Sequence, residues 1–112
     1  MIYYPFVFRA SFSNVRFSPE KLKNLLGNLS YSNQLIYHKG LHHDFAYVYA
    51  NHWKEKNASI RIVEHFENNE EATIYSKKGQ FWTFSPIFHV NFLKTHIYQP
   101  TTMEVQILLH KH

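Results

Sequence analysis

Three residues in the second half of the chain have the side chains that metal-independent RNA cleavage requires. Such cleavage needs a general base, a general acid and a cation beside the phosphate, and two histidines with an arginine supply all three. Arg61 and His65 fall at an even spacing on one predicted strand, and His89 falls on the polar side of a later one. Neighbouring strands would join the three into one cluster. With nine histidines in the chain, a solvated outer sheet face accounts for the same pattern.

Histidine groups are the second candidate chemistry, as metal ligands. His42 and His43 precede Asp44, and His110 and His112 stand at the C-terminus. Adjacent strand residues point to opposite faces, so the first group would chelate a metal only from a loop. The chain has no cysteine and no His-Glu-x-x-His motif, and its three glycines stand apart. We therefore expect neither a metal site nor a nucleotide cofactor.

A third set of residues is typical of a protein-binding surface. Half of the eight acids gather around one predicted turn, namely Glu64, Glu67, Glu70 and Glu71. Aromatic side chains bury large areas at interfaces with little loss of conformational entropy. We add three of them to the predicted partner-binding residues, namely Trp53, Tyr75 and Trp82. A solvated charged turn is the simpler account of the four acids.

Alternating apolar and polar residues predict the strands that must position these groups. The first spans residues 2–12 and contains Pro5, which cannot donate to a ladder, so we expect an edge strand or a proline turned away from its neighbour. One helix of about three turns is predicted after Ser18, which can cap. Pro19 suits its first turn, leucines recur at helical spacing, and Gly27 is expected to start its C-terminal cap. Further strands are predicted at 34–38, 41–52, 59–67, 72–76, 81–84, 87–93 and 103–109. Pro86 is expected to interrupt the run before 87–93.

This order of elements predicts an α+β fold. Consecutive strands with short connections are antiparallel, and one helix in the N-terminal half would cover one face of a curled antiparallel sheet of about five to seven strands. With no linker in its 112 residues, the chain is expected to be a single globular domain, 1–112. The predicted core comprises Phe6, Phe8, Leu22, Leu25, Leu26, Ile60, Ile62, Phe88, Val90, Val105 and Ile107.

Composition limits the partners. The formal net charge of +4 and the pI near 9.3 suit nucleic acid or an acidic protein surface. No apolar run is long enough for a membrane helix, and the N-terminal segment lacks the features of a signal peptide. A domain without cysteine is compatible with the cytoplasm, which is the expected compartment.

Because no motif fixes a reaction, we interpret the chain as a small bacterial or viral protein-binding module rather than an enzyme. It would act as a stoichiometric inhibitor of the immunity-protein, antitoxin or anti-defence type, with a toxin or a nuclease as its protein partner. The alternative is a small basic RNA-binding protein or a metal-independent RNase that uses Arg61, His65 and His89. The sequence leaves the oligomeric state open.

Overall fold

The computed structural model describes residues 1–13, 18–77 and 79–89. Their elements are β1 (Ile2–Phe12), α1 (Pro19–Leu29), β2 (Ser30–Lys39), β3 (Asp44–Trp53), α2 (Asn57–Glu67), β4 (Ala72–Lys77) and β5 (Gln80–His89). The strands form one open antiparallel sheet in the order β2-β3-β1-β5-β4. The predicted α+β class with an antiparallel sheet is confirmed, but the described residues contain two helices rather than one.

The two prolines inside strands occupy places where a missing N–H does little harm. β1 is the central strand, so the edge position predicted from Pro5 is wrong. Pro5 lies where the register between β1 and β3 shifts, between Tyr3 and Phe6, and such irregularities tolerate proline. β5 continues through Pro86, contrary to prediction. Pro86 lies beyond Phe84, the partner of the first residue of β4, and on the β1 side it lies at the register shift between Val7 and Phe8.

Both helices pack against the same face of the sheet, and the main core lies between them and the strands. Three of its rings contact one another, since Phe66 of α2 lies 5.1 Å from Phe8 and 6.4 Å from Trp53 between ring centroids. Five predicted core residues are buried as expected, namely Phe6, Phe8, Leu22, Leu26 and Ile62. Leu25 packs against this core while partly exposed, and Phe88 packs with Val7 and Tyr49 in a second cluster. Three lie outside the described residues, namely Val90, Val105 and Ile107.

Residues 57–67 form helix α2, so the strand predicted at 59–67 is wrong. Its buried residues are Ser59, Ile62, Val63 and Phe66, whose spacing of three, four and seven marks one face of a helix. Ile60, Ile62 and Phe66 fall at even spacings, which suggested a strand. The helical face was not apparent because its first buried position is a serine rather than an apolar residue. Ile60 is instead 39% exposed, which removes it from the predicted core.

Candidate protein-binding surface

Helix α2 and the edge strand β4 border an open groove of about 330 Å³. Its apolar lining comes from Ala58, Ile62, Ala72 and Ile74, and its polar lining comes from Arg61, His65, Thr73 and Tyr75. We call this feature the α2–β4 groove. It brings together three of the residues singled out in the sequence, namely Arg61, His65 and Tyr75.

Arg61 and His65 are neighbours because they lie four residues apart on α2, not because they share a strand. Both side chains are exposed. His65 Nδ1 lies 3.9 Å from Glu70 Oε1, at the limit of an ion pair that forms only when the imidazole is protonated. The groove therefore has a cationic side on α2 with a carboxylate at one end.

His89 is placed away from the groove. Its ring packs edge-on against Tyr4, at 4.9 Å between centroids, and lies 6.3 Å from Phe6. It stands five residues beyond Phe84 along β5, which is about 16 Å of strand past the start of β4. The predicted strand pairing that would have joined His89 to the groove residues does not occur, because residues 59–67 are helical.

The four predicted acids are exposed and lie at one end of α2. Glu64 and Glu67 belong to its last turn, and Glu70 and Glu71 lie in the connection to β4. We call them the acidic cluster. The C-terminal end of a helix carries a partial negative charge, so this end of α2 combines the charge of its carboxylates with that of its dipole.

Local hydrogen bonds hold the segment that carries the acidic cluster. The Asn68 N–H donates to the carbonyls of Glu64 and His65, and its side-chain Nδ2 donates to the Glu64 carbonyl at 3.0 Å. Asn69 has φ of 56°, a left-handed conformation that asparagine tolerates better than most residues. The turn predicted among the four acids lies at Asn68 and Asn69, and it ends a helix rather than joining two strands.

Three members of the acidic cluster interact with neighbouring side chains. Ser85 Oγ donates to Glu71 Oε2 at 2.8 Å, which ties the start of β4 to β5. Burial raises the pKa of the Tyr4 hydroxyl above its ordinary value, and the charge of Glu67 raises this pKa further. Glu67 therefore exerts its field toward β1, while Glu70 lies beside His65.

Of the three aromatics predicted to bind a partner, only Tyr75 is at the surface. Trp53 and Trp82 are 0% and 2% exposed, so the structure corrects their predicted placement. Trp53 Nε1 donates to the Tyr4 carbonyl at 2.9 Å, and the Trp82 ring lies 4.5 Å from Phe12. Both indoles are core residues. Tyr75 is 73% exposed, with its ring 5.7 Å from that of Phe81.

Sequence reasoning missed the outer edge of β4. Within the described ranges β4 pairs with β5 alone, so its other side is a row of peptide groups without a neighbouring strand. Natural edge strands are commonly protected by proline, by charge or by a bulge. Residues 72–76, Ala-Thr-Ile-Tyr-Ser, contain neither proline nor charge, and the register with β5 shifts only at the far end of the strand, between Tyr75 and Lys77. The uncharged, β-prone composition was visible in the sequence, but the edge position depends on long-range strand order.

Two kinds of feature are absent from the described part of the chain. It contains no group of three or more His, Cys, Asp or Glu side chains placed to hold a metal ion. No helix in those ranges has the length and hydropathy needed to cross a membrane.

Comparison with known proteins leaves this surface as the guide to function. The chain matches no protein-family model, no curated protein and no solved structure.

Proposed function

We propose that the protein is a stoichiometric inhibitor that binds another protein through the surface formed by the acidic cluster, the α2–β4 groove and Tyr75. The expected partner is a toxin or a nuclease. Proteins that act on nucleic acid carry basic surfaces for phosphate, and a compact group of carboxylates is complementary to such a surface. Binding there would block the partner by occupying its substrate site.

The observation that carries this proposal is the position of the acids on α2. Carboxylates are favourable near the N-terminus of a helix and unfavourable near its C-terminus. The first turn of α2 has no acid, whereas its last turn contains Glu64 and Glu67. The stability of α2 alone therefore disfavours acids in its last turn, and a role in binding would explain why they are there.

The neighbouring features support a surface for a protein rather than for a small molecule. The groove is open, and Tyr75 on its β4 side has an exposed ring that lies beside Phe81. Aromatic side chains beside charged groups are typical anchors of protein interfaces. Among the described residues no strand pairs with the outer side of β4, and an extended partner segment could add there as a strand.

The RNase alternative has less support from the geometry. Arg61 and His65 lie together in the groove, but the second histidine of the predicted trio packs against Tyr4 and Phe6 instead. A general acid and a general base must both reach the same phosphodiester. RNA binding by the basic remainder of the chain is an outcome that the experiment below can detect.

Affinity capture from extracts of the source cells, with a matched pair of variants, tests the proposal. Glu64→Gln/Glu67→Gln removes two charges from the acidic cluster, and Glu20→Gln/Glu55→Gln removes two charges elsewhere. We expect a specific protein to be captured by the wild type and by the control, and its affinity to fall at least about tenfold for the cluster variant. The partner is then purified, and its activity should fall to zero at one equivalent of inhibitor.

Three results would overturn the proposal. Equal capture by both variants would show that the acidic cluster is not the contact. A captured protein whose activity is unaffected would exclude inhibition. Co-purification of RNA that is released by salt, with capture of the protein abolished by nuclease treatment, would assign the chain to RNA binding.

A further inference from the structure

We infer that single-stranded nucleic acid binds to the sheet face opposite the helices, at a row of planar side chains formed by Arg9, Phe45 and His38. We call these three residues the stacked row. The inference goes beyond the proposed inhibitor function, because it assigns a different ligand to a different face of the molecule. It rests on the positions of the three side chains, on their contacts and on the charges that surround them.

The strand register places the stacked row on one face of the sheet. Arg9 lies on β1 between two residues of the main core, so its side chain points away from the helices. Ser11, two residues further along β1, shares that face. Phe45 of β3 pairs with Ser11 and with His38 of β2, and residues directly opposite each other point to the same face. The stacked row therefore crosses three neighbouring strands.

The contacts within the stacked row are those of stacked planar groups. The rings of His38 and Phe45 are 5.2 Å apart between centroids and inclined by only 10°. The guanidinium carbon of Arg9 lies over the Phe45 ring, 5.0 Å from its centroid. β1 and β2 flank β3, so the guanidinium and the imidazole lie on opposite sides of Phe45. Tyr47 packs edge-on against both rings, at 5.3 Å from His38 and 5.5 Å from Phe45, which limits their motion.

The stacked row is accessible to a ligand. Arg9 and His38 are exposed, and Phe45 is half-buried between them. Among the described residues, the face of the His38 ring that is turned away from Phe45 has no aromatic contact, so an unpaired base can stack there. Further along the same face Val7 and Tyr49 are 0% exposed. The accessible part of this face thus coincides with the rings and the charges.

The side chains around the stacked row are basic. Lys39 ends β2, and His42 and His43 lie in the turn that follows, and all three are exposed. No carboxylate of the described residues lies at ion-pair distance from Arg9 or Lys39. Cations without a protein partner on an exposed surface are suited to bind phosphate groups.

The acids that flank the stacked row already accept hydrogen bonds. Asp44 precedes Phe45, is 2% exposed and accepts a hydrogen bond from the Tyr37 hydroxyl at 2.8 Å. Glu71 accepts one from Ser85, which pairs with Arg9 on the β5 side. The rest of the acidic cluster lies beside β4, four strand spacings or about 19 Å from β2, and repulsion over this distance is largely screened at physiological salt.

The stacked rings favour nucleic acid over an acidic protein as the ligand. Unpaired bases stack on aromatic and guanidinium planes while their phosphates contact basic side chains nearby. In a duplex the bases stack on one another, so only the phosphates reach the protein. We therefore expect single strands to bind more tightly than duplexes.

Fluorescence anisotropy with a short labelled RNA strand, its DNA equivalent and the duplex of each tests the inference. We expect the wild type to bind a single strand at low salt with a Kd on the order of 10 μM. Arg9→Gln should weaken this binding about fivefold and lower the slope of log Kd against log salt by about 0.7, because one phosphate contact is lost. Lys21→Gln removes the same charge from the exposed side of α1 and should leave Kd within about twofold of the wild type.

Two substitutions at position 38 separate stacking from charge. His38→Gln removes the exposed ring and should weaken single-strand binding at least about fivefold. His38→Tyr keeps a ring without a basic group and should bind within about twofold of the wild type. Both changes are at an exposed position, so thermal unfolding of the two variants should match that of the wild type.

Binding of either single strand with this order of variants supports the inference, and the tighter of RNA and DNA identifies the natural ligand. Four results would overturn it: no binding, a duplex bound as tightly as its single strand, equal weakening by Lys21→Gln and Arg9→Gln, or tighter binding of polyglutamate, which would assign the face to an acidic protein. Glu64→Gln/Glu67→Gln should bind the strand as the wild type does. Retained protein capture by a chain that binds no nucleic acid would leave the inhibitor proposal intact.

Discussion

The two helices have the same length, but they form for different reasons. Each contains 11 residues and packs on the same face of the sheet. In α1, the Ser18 side chain accepts a hydrogen bond from the Glu20 N–H at 3.3 Å, Pro19 begins the helix, and an acid occupies the first turn. In α2, the N-cap is Lys56, no side chain caps the first turn, and the acids lie at the other end.

This difference between the helices shows which surface residues can serve function without being needed for folding. The local sequence of α1 favours a helix at its start, so its charges match its dipole. α2 depends on the residues it buries, namely Ser59, Ile62, Val63 and Phe66. Because tertiary packing decides the conformation of α2, its outer side can carry charges that its own helical propensity disfavours.

Of the substitutions that test this comparison, loss of the main packing residue of α2 should have the largest effect on the free energy of unfolding. Phe66 is 3% exposed, and its ring is stacked 4.7 Å from Phe6. We expect Phe66→Ala to lower the free energy of unfolding by about 3–5 kcal/mol in urea denaturation. Ile60→Ala, on the exposed side of the same helix, should change it by less than about 1 kcal/mol. Equal effects would show that α2 does not depend on burial.

The contact between the two helices should have the next largest effect. Ser59 Oγ donates to the Leu29 carbonyl at 2.7 Å and is fully buried, which joins the start of α2 to the end of α1. Ser59→Ala should lower the free energy of unfolding by about 1.5 kcal/mol, because the carbonyl keeps the Lys54 N–H as a donor. Ser76→Ala, at an exposed serine, is the control. No difference between the two variants would contradict the role of this bond.

Substitutions at the N-caps of the two helices should change the free energy of unfolding in opposite directions. Ser18→Ala removes the cap of α1 and should lower the free energy of unfolding by about 1 kcal/mol. Lys56→Ser places a capping hydroxyl at a position whose backbone is already extended, with φ −133° and ψ 157°, and should raise it by about 0.5 kcal/mol. Thermal unfolding of both variants checks the pair. A stabilising Ser18→Ala or a destabilising Lys56→Ser would contradict the account.

The same contrast explains what the sequence could predict. The helix was predicted from Ser18, Pro19 and the leucine spacing, and it is confirmed as α1, but the predicted cap at Gly27 is wrong because α1 continues to Leu29 and ends at Ser30. The turn before β5 contains Gly79, which adopts a positive φ of 76° that glycine tolerates. The sequence did not predict α2, because a serine fills the first buried position of this helix and its start has no capping residue.

Only part of the candidate surface could be predicted from the sequence. Charge spacing located the acidic cluster at one turn, and those four acids are exposed. Burial of Trp53 and Trp82 was missed, because an aromatic residue near a strand end fits a core and an interface equally well. The separation of His89 from Arg61 and His65 depends on α2 being helical and on strand order, which are long-range properties.

The central claim is that the acids of α2 serve binding rather than folding, and the double variant Glu64→Lys/Glu67→Lys tests it most directly. Free energy of unfolding and capture of the partner protein are measured on one preparation. Lysines near a helix C-terminus are favourable, so we predict that stability rises by about 0.3–1 kcal/mol while capture is lost. Retained capture, or a loss of stability that accompanies the loss of capture, would contradict the account.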